Sequence, residues 1–138
     1  MNVVFDTNVY VAEALLGGAA EALIRSTERA SWRIYACEYL LDELERVLVD
    51  HLGFSRRLAR LARGRVIRRS CMVEPGTSRH AVDGDPADTP ILLAALTAGA
   101  NYLVTNDRHL LDLDPYEGLR IVSMAEYLDR LRLEGLLV

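Results

Sequence analysis

Lysine is missing altogether. All sixteen basic residues of the 138-residue chain are arginine, set against twenty acidic residues for a net charge of -4. An acidic balance gives no general pull on a polyanion, so any nucleic-acid contact has to come from how charge is distributed. Cysteine is scarce. Cys37 and Cys71 are too few for a disulfide framework and lack metal-ligand spacing, which excludes a cross-linked scaffold and a thiolate zinc site and fits a cytoplasmic compartment. Both read as small core residues. Long apolar runs are lacking too: the longest, residues 91–96 and on to 98, is broken by Thr97 and falls far short of the roughly 20 residues a membrane span needs. The start, Met1-Asn2-Val3-Val4-Phe5-Asp6, has neither the basic cluster nor the apolar stretch of a secretory signal, so export is not expected. His51, His80 and His109 show no paired spacing and receive no role.

What is present is the balance of an ordinary globular protein, with 51% hydrophobic and 26% charged residues, at a length that suits one domain over residues 1–138. Residues 2–5 read as a buried strand, followed by a turn at Thr7-Asn8 and a helix over 9–16 closed by Gly17-Gly18. A helix over 19–29 leads to a strand over 33–36. Residues 38–52 place Leu40, Leu41, Leu44, Val47 and Leu48 on one helical side. A further helix from Phe54 is expected to break or bend near Gly64, before a strand over 71–73 and the turn Glu74-Pro75-Gly76. Residues 77–87 read as a loop. Asp88 then serves as N-cap of a deeply buried helix with Pro90 in its first turn and its stop at Gly99. Strands over 101–104 and 121–122 and a closing helix over 124–133 complete an alternation that predicts an α/β fold built on a parallel sheet covered on both faces.

In such sheets ligands gather outside the carboxyl ends of the strands. Asp6 and Asp107 each follow a strand, so both face one crevice if their strands are neighbours. Asp88 can reach the same edge from a helix N-terminus, and simple capping is an equally good local account of it. Glu43 lies on the flank of the leucine stripe, whereas Asp42, Glu45 and Arg46 point further outward; the plainer account is a surface ion pair with Arg46, one turn on. Two carboxylates within about 4 Å repel by some 4 kcal/mol at an effective dielectric near 20, so four together need a reason. A hard cation such as Mg²⁺ or Mn²⁺ supplies one, and its bound water can act on a phosphodiester.

Four stretches share one pattern: Val3-Val4-Phe5-Asp6-Thr7-Asn8-Val9, Glu43, Asp85-Pro86-Ala87-Asp88 before Ile91-Leu92, and Asn101-Tyr102-Leu103-Val104-Thr105-Asn106-Asp107. Their order and spacing resemble the PIN-domain family over nearly the whole chain, in particular its small toxin-like members of the VapC type. The resemblance implies a three-layer α/β/α fold with a central, mostly parallel sheet of four to five strands. It implies a Mg²⁺- or Mn²⁺-dependent endoribonuclease in which Asp6, Asp88 and Asp107 ligate metal and Glu43 does so directly or through water. Asn8 would orient the site, Thr105 would hydrogen-bond Asp6, and in-line attack by an activated water would leave a 5′-phosphate and a 3′-hydroxyl. A small antitoxin partner and a homodimer are implied as well. The chain departs from the family where its third acid sits among Asp83, Asp85 and Asp88, with Asp85 as understudy, and where Asn106 replaces a small or basic residue.

Seven arginines fall between 56 and 69, and four of them, Arg56, Arg57, Arg60 and Arg63, read as a solvated helix face opposite Leu58, Leu61 and Ala62, with RNA or antitoxin binding as the alternative. Arg108, beside Asp107, and Arg79 with His80 are better placed for substrate phosphate. Trp32 and Tyr35 could stack bases, but packing at a strand end accounts for them more simply. Two rival functions follow. A PIN-like RNA-binding or regulatory module would have little reason to keep repelling acids. A receiver or phosphatase needs a second aspartate two residues after the first, where Asn8 stands, and a receiver needs a lysine that this chain does not have.

Overall fold

The computed structural model describes residues 1–75 and 89–138, Thr89 by its backbone alone. Five strands form one sheet: β1 (Asn2–Phe5), β2 (Arg33–Ala36), β3 (Cys71–Met72), β4 (Tyr102–Val104) and β5 (Arg120–Val122), in the order β3-β2-β1-β4-β5 with every neighbour parallel. The helices are α1 (Thr7–Leu16), α2 (Gly18–Arg29), α3 (Glu38–Arg46), α4 (Arg56–Arg69), α5 (Thr89–Thr97), α6 (Arg108–Leu111) and α7 (Met124–Leu133). β1 is central. Val3, Val4 and Phe5 point to alternate faces and are all buried, which requires helices on both sides of the sheet and explains why the strand is a continuous apolar run. Among the described residues no helix is long and apolar enough to cross a membrane.

The core is organised around aromatic rings. Phe5 meets Tyr10 and Tyr127 edge-on at 5.9 and 5.8 Å, and Tyr127 meets Tyr102 at 5.7 Å. Trp32 stacks on Tyr102 at 6.4 Å, so it packs at a strand end rather than standing free for a base. The Tyr127 hydroxyl, deep in this cluster, bonds to the Thr27 hydroxyl.

Several sequence expectations need correction. The helix predicted over 38–52 is α-helical only to Arg46; Val47–His51 form one wider π turn, in which the Leu52 N–H reaches the Val47 carbonyl, and Gly53 at φ +72 ends it. α4 runs unbroken through Gly64. A central glycine costs about 1 kcal/mol, and α4 offsets it by burying Ala59 and Val66 against the core while Arg63 bonds Glu38 and Asp42 on α3 at 2.7 and 2.8 Å. Leu58 and Leu61 are exposed by 53% and 56%, so they do not form the inner face of α4. Cys37 is buried as expected, but Cys71 lies exposed on the edge strand. The loop over 77–87 and the capping role of Asp88 lie outside the described residues.

The end of α4 is anchored on α1. Arg69 bonds Glu13 through both its terminal nitrogens, at 2.7 and 2.8 Å, with both side chains almost fully enclosed and the guanidinium 6.0 Å from the Tyr10 ring. Removing one partner of a buried pair leaves the other charge uncompensated. Glu13→Ala should therefore destabilise the protein by about 3 kcal/mol in urea unfolding; a loss below about 1 kcal/mol, the scale of a surface pair, would show that the pair anchors nothing.

Candidate active site

β1 and β4 are neighbours, and the chain leaves them in opposite lateral directions, toward β2 on one side and β5 on the other. This is the switch point at which a crevice opens beyond the carboxyl ends of a parallel sheet. Val4 pairs with Leu103 and Phe5 with Val104, so the next residues, Asp6 and Thr105, emerge side by side. The Asp6 N–H also donates to the Val104 carbonyl at 2.9 Å, extending the ladder one step past the strands.

Asp6 is only 4% exposed, and both of its carboxylate oxygens accept hydrogen bonds. Oδ1 accepts from the Thr7 N–H at 2.7 Å, which makes Asp6 the N-cap of α1. Oδ2 accepts from the Thr105 hydroxyl at 2.6 Å and from Asn8 Nδ2 at 3.2 Å. Thr105 in turn accepts from the Asp107 N–H at 3.0 Å and from Asn8 Nδ2 at 3.3 Å. Asp107 caps the short helix α6 by accepting from the His109 N–H at 2.8 Å. The structure thus joins Asp6, Asn8, Thr105 and Asp107 in one bonded group.

Glu43 enters from α3. Its side chain is 19% exposed, against 70% for Asp42, and Arg46 Nη2 lies 3.8 Å away. At that length the contact with a half-exposed arginine is a weak one. Burial pushes the Asp6 carboxyl up to about 6; the Thr105 hydroxyl and the Thr7 N–H oppose this, and the charges of Glu43 and Asp107 add to it. Glu43 and Asp107 therefore both act on Asp6 across the crevice.

Arg108 is exposed at the start of α6, next to the group. Asp88, Asp85 and Arg79 lie outside the described residues. Sequence reasoning gave no role to two residues that border the site. Asn106 accepts from the Met124 N–H at 3.2 Å and so ties the strand-end turn to α7. His109 Nδ1 stands 3.6 Å from Asp107 Oδ1; its place two positions after Asp107 was the one available signal.

The acids Asp6, Glu43 and Asp107 offer oxygen ligands, which suit a hard divalent ion, and the repulsion around Asp6 is what such an ion would relieve. Among the described residues no three acidic, histidine or cysteine side chains converge into a ready-made metal cage.

The raised value of Asp6 fixes a sign. The unfolded chain ionises Asp6 near 3.8 and the folded one near 6, so protonated Asp6 is compatible with the fold and ionised Asp6 opposes it. Its favourable contribution is complete below about 4 and is lost as pH rises through 6. In EDTA, the stability of the parent relative to Asp6→Asn should fall by about 2–3 kcal/mol between pH 4 and 7 and then level off. Thermal melts of both proteins across pH measure this; a difference independent of pH would mean that Asp6 is not ionised against its surroundings.

Comparison with known proteins agrees with this architecture. The PIN domain family profile matches residues 2–109. The fold is similar to that of VapBC2 from Rickettsia felis, solved bound to a DNA fragment from their promoter, with a TM-score of 0.66 and 14% identity over 89% of this chain and 98% of that one. It is also similar to PAE2754 from Pyrobaculum aerophilum, with a TM-score of 0.65 and 19% identity over 96% of this chain and 90% of that one. No curated protein matches the sequence significantly. With the profile spanning most of the chain, the protein belongs to the PIN-domain family.

Proposed function

We propose that the chain is a metal-dependent endoribonuclease and the toxin component of a toxin–antitoxin pair. The observation that carries this is the buried Asp6 carboxylate, raised to about 6 and facing the charges of Glu43 and Asp107 at the switch point. Asp6, Glu43 and Asp107 would hold Mg²⁺ or Mn²⁺, with Asp88 as the further ligand expected from the sequence. When bound, the ion supplies charge neutralisation at the phosphate and a nucleophilic water at neutral pH.

The chain's own residues set the frame for that chemistry. Thr105 donates its proton to Asp6 Oδ2, which fixes the orientation of the carboxylate. The Thr7 N–H fixes the other oxygen, and Asn8 bridges Asp6 and Thr105 so that the carboxylate cannot rotate. The Asp107 N–H on Thr105 sets the start of α6 and hence the position of the Asp107 side chain. Arg108, exposed beside it, can take a substrate phosphate in its planar fork.

The antitoxin partner is supported by the likeness to a VapBC2 complex. A homodimer is proposed on the family resemblance. The rival reading, a PIN-like RNA-binding or regulatory module, draws on the contact of Glu43 with Arg46.

One assay separates them. Incubated with a mixed RNA pool, the parent should cut in Mg²⁺ or Mn²⁺ and stop in EDTA, and Asp6→Asn and Glu43→Gln should abolish cutting. Thr105→Val, which keeps the shape and removes the hydroxyl, should lower activity by about 10–100-fold. Equal cutting by the carboxylate variants, or cutting that survives EDTA, sinks the nuclease reading; tight RNA binding with no cutting by the parent favours the module.

A further inference from the structure

The arginines of α4 divide into three groups once their partners are known. Arg63 and Arg69 are consumed by the fold, in bonds to α3 and to Glu13. Arg56 and Arg60 line a groove of about 310 Å³ whose opposite wall carries Asp42, Glu45 and Asp50, so acids of the chain already face them. Arg57, Arg65 and Arg68 remain. All three are exposed, and none forms an ion pair among the described residues, although the chain carries more acids than bases.

These three share one face. At 100° per residue, positions 57, 65 and 68 lie within about 80° of one another, along a line of roughly 16 Å between the first and the last. Arg65 and Arg68, three residues apart, are like charges on neighbouring turns and mildly disfavour the helix that carries them. Arg68 folds back over Gly64, its Nη1 only 3.2 Å from where a β-carbon would stand, so the glycine keeps room for a guanidinium on that face.

The row leads somewhere. Arg63 meets Glu38 and Asp42, while Arg56 and Arg60 border Arg46 and Asp50, so α4 runs antiparallel to α3 and ends at the edge where α3 begins. Met72, three residues beyond α4, pairs with Ala36, and through Tyr35↔Val4 and Phe5↔Val104 that level is the last before Asp6 and Thr105. The sheet order puts β3 two strands from β1, roughly 10 Å. Arg108 follows β4, on the opposite side of Asp6 from α4.

We infer that Arg57, Arg65 and Arg68 form a track for the phosphates of a single RNA strand, which runs along α4 to the carboxylate site and meets Arg108 beyond it. The inference rests on RNA being the substrate. Planar guanidinium forks suit phosphate, and a row of about 16 Å spans several successive ones. An acidic protein segment would match the charge equally well, but alignment with the crevice adds nothing to such a contact and is what a substrate path requires.

The test separates binding from cutting. A short single-stranded RNA of mixed sequence is titrated in EDTA over a range of monovalent salt, against the parent and against Arg57→Gln/Arg65→Gln/Arg68→Gln. Arg25→Gln/Arg29→Gln/Arg130→Gln, on α2 and α7, removes the same charge elsewhere. The track predicts that the slope of log affinity against log salt falls by about 2 in the first variant, at roughly 0.7 per phosphate contact, and little in the control. An unchanged slope, or an equal fall in the control, overturns it and leaves the face to an acidic partner. A fall in slope for a chain that cuts no RNA would uphold the track and sink the nuclease reading. A chain that cuts RNA with an unchanged slope loses the track alone.

Discussion

A single hydrogen bond, from the Thr105 hydroxyl to Asp6 Oδ2 at 2.6 Å, joins residues 99 positions apart and governs the rest of the site. It requires β1 and β4 to be neighbours in register, which the parallel ladder through Phe5 and Val104 provides. Because the hydroxyl donates to Asp6, its lone pairs are free to accept, and the Asp107 N–H uses one of them. The second acid is thereby placed by the same atom that holds the first. Asn8, reaching both Asp6 and Thr105, closes the group, and Asn106 fixes its outer side to α7. Removing the hydroxyl would release three positions at once, which is why a residue that touches no substrate can matter to the site.

Much of this frame could be read from the sequence because it depends on local rules. An apolar run that stops at a polar residue marks the carboxyl end of a buried strand, and Val3-Val4-Phe5-Asp6 and Leu103-Val104-Thr105 both obey it. Helical period alone separated Glu43 from Asp42 and Arg46, and their exposures follow that order. What escaped were features that depend on a partner distant in the chain. Gly64 looked like a break because propensity counts only the helix itself, whereas Arg63 reaches carboxylates 18 to 25 residues earlier on α3. Leu58 and Leu61 looked like an inner face because leucine usually is one, yet Ala59 and Val66 are what α3 and the sheet leave room for. The Glu13 and Arg69 pair has no local signature at all.

The arginines show how composition misleads. A net charge of -4 gives no hint of nucleic-acid contact, and a cluster of seven basic residues suggests more contact than the fold leaves available. Two belong to the fold and two face acids across a groove. Only by subtracting those does a coherent face emerge, and its value as evidence comes from where α4 ends relative to Asp6.

The strongest alternative to a catalytic role is that Asp6 and Asp107 are helix caps, since each accepts from the first turn of the helix after it. Capping, however, asks only for a short side chain with an oxygen, and Asn or Ser performs it about as well as Asp. A carboxylate gains from the helix N-terminus by about 0.3–1 kcal/mol, or up to roughly 2 in a partly buried setting. The shift of Asp6 from 3.8 to about 6 corresponds to about 3 kcal/mol working the other way, after the Thr105 and Thr7 hydrogen bonds have made their contributions. Capping therefore does not balance the charge it uses. Glu43 lies inside α3 rather than at the start of a helix, yet it brings a further negative charge toward the same buried group. An amide at Asp6 would cap α1 without that penalty, so capping alone leaves an excess of charge, which the proposed divalent cation would balance.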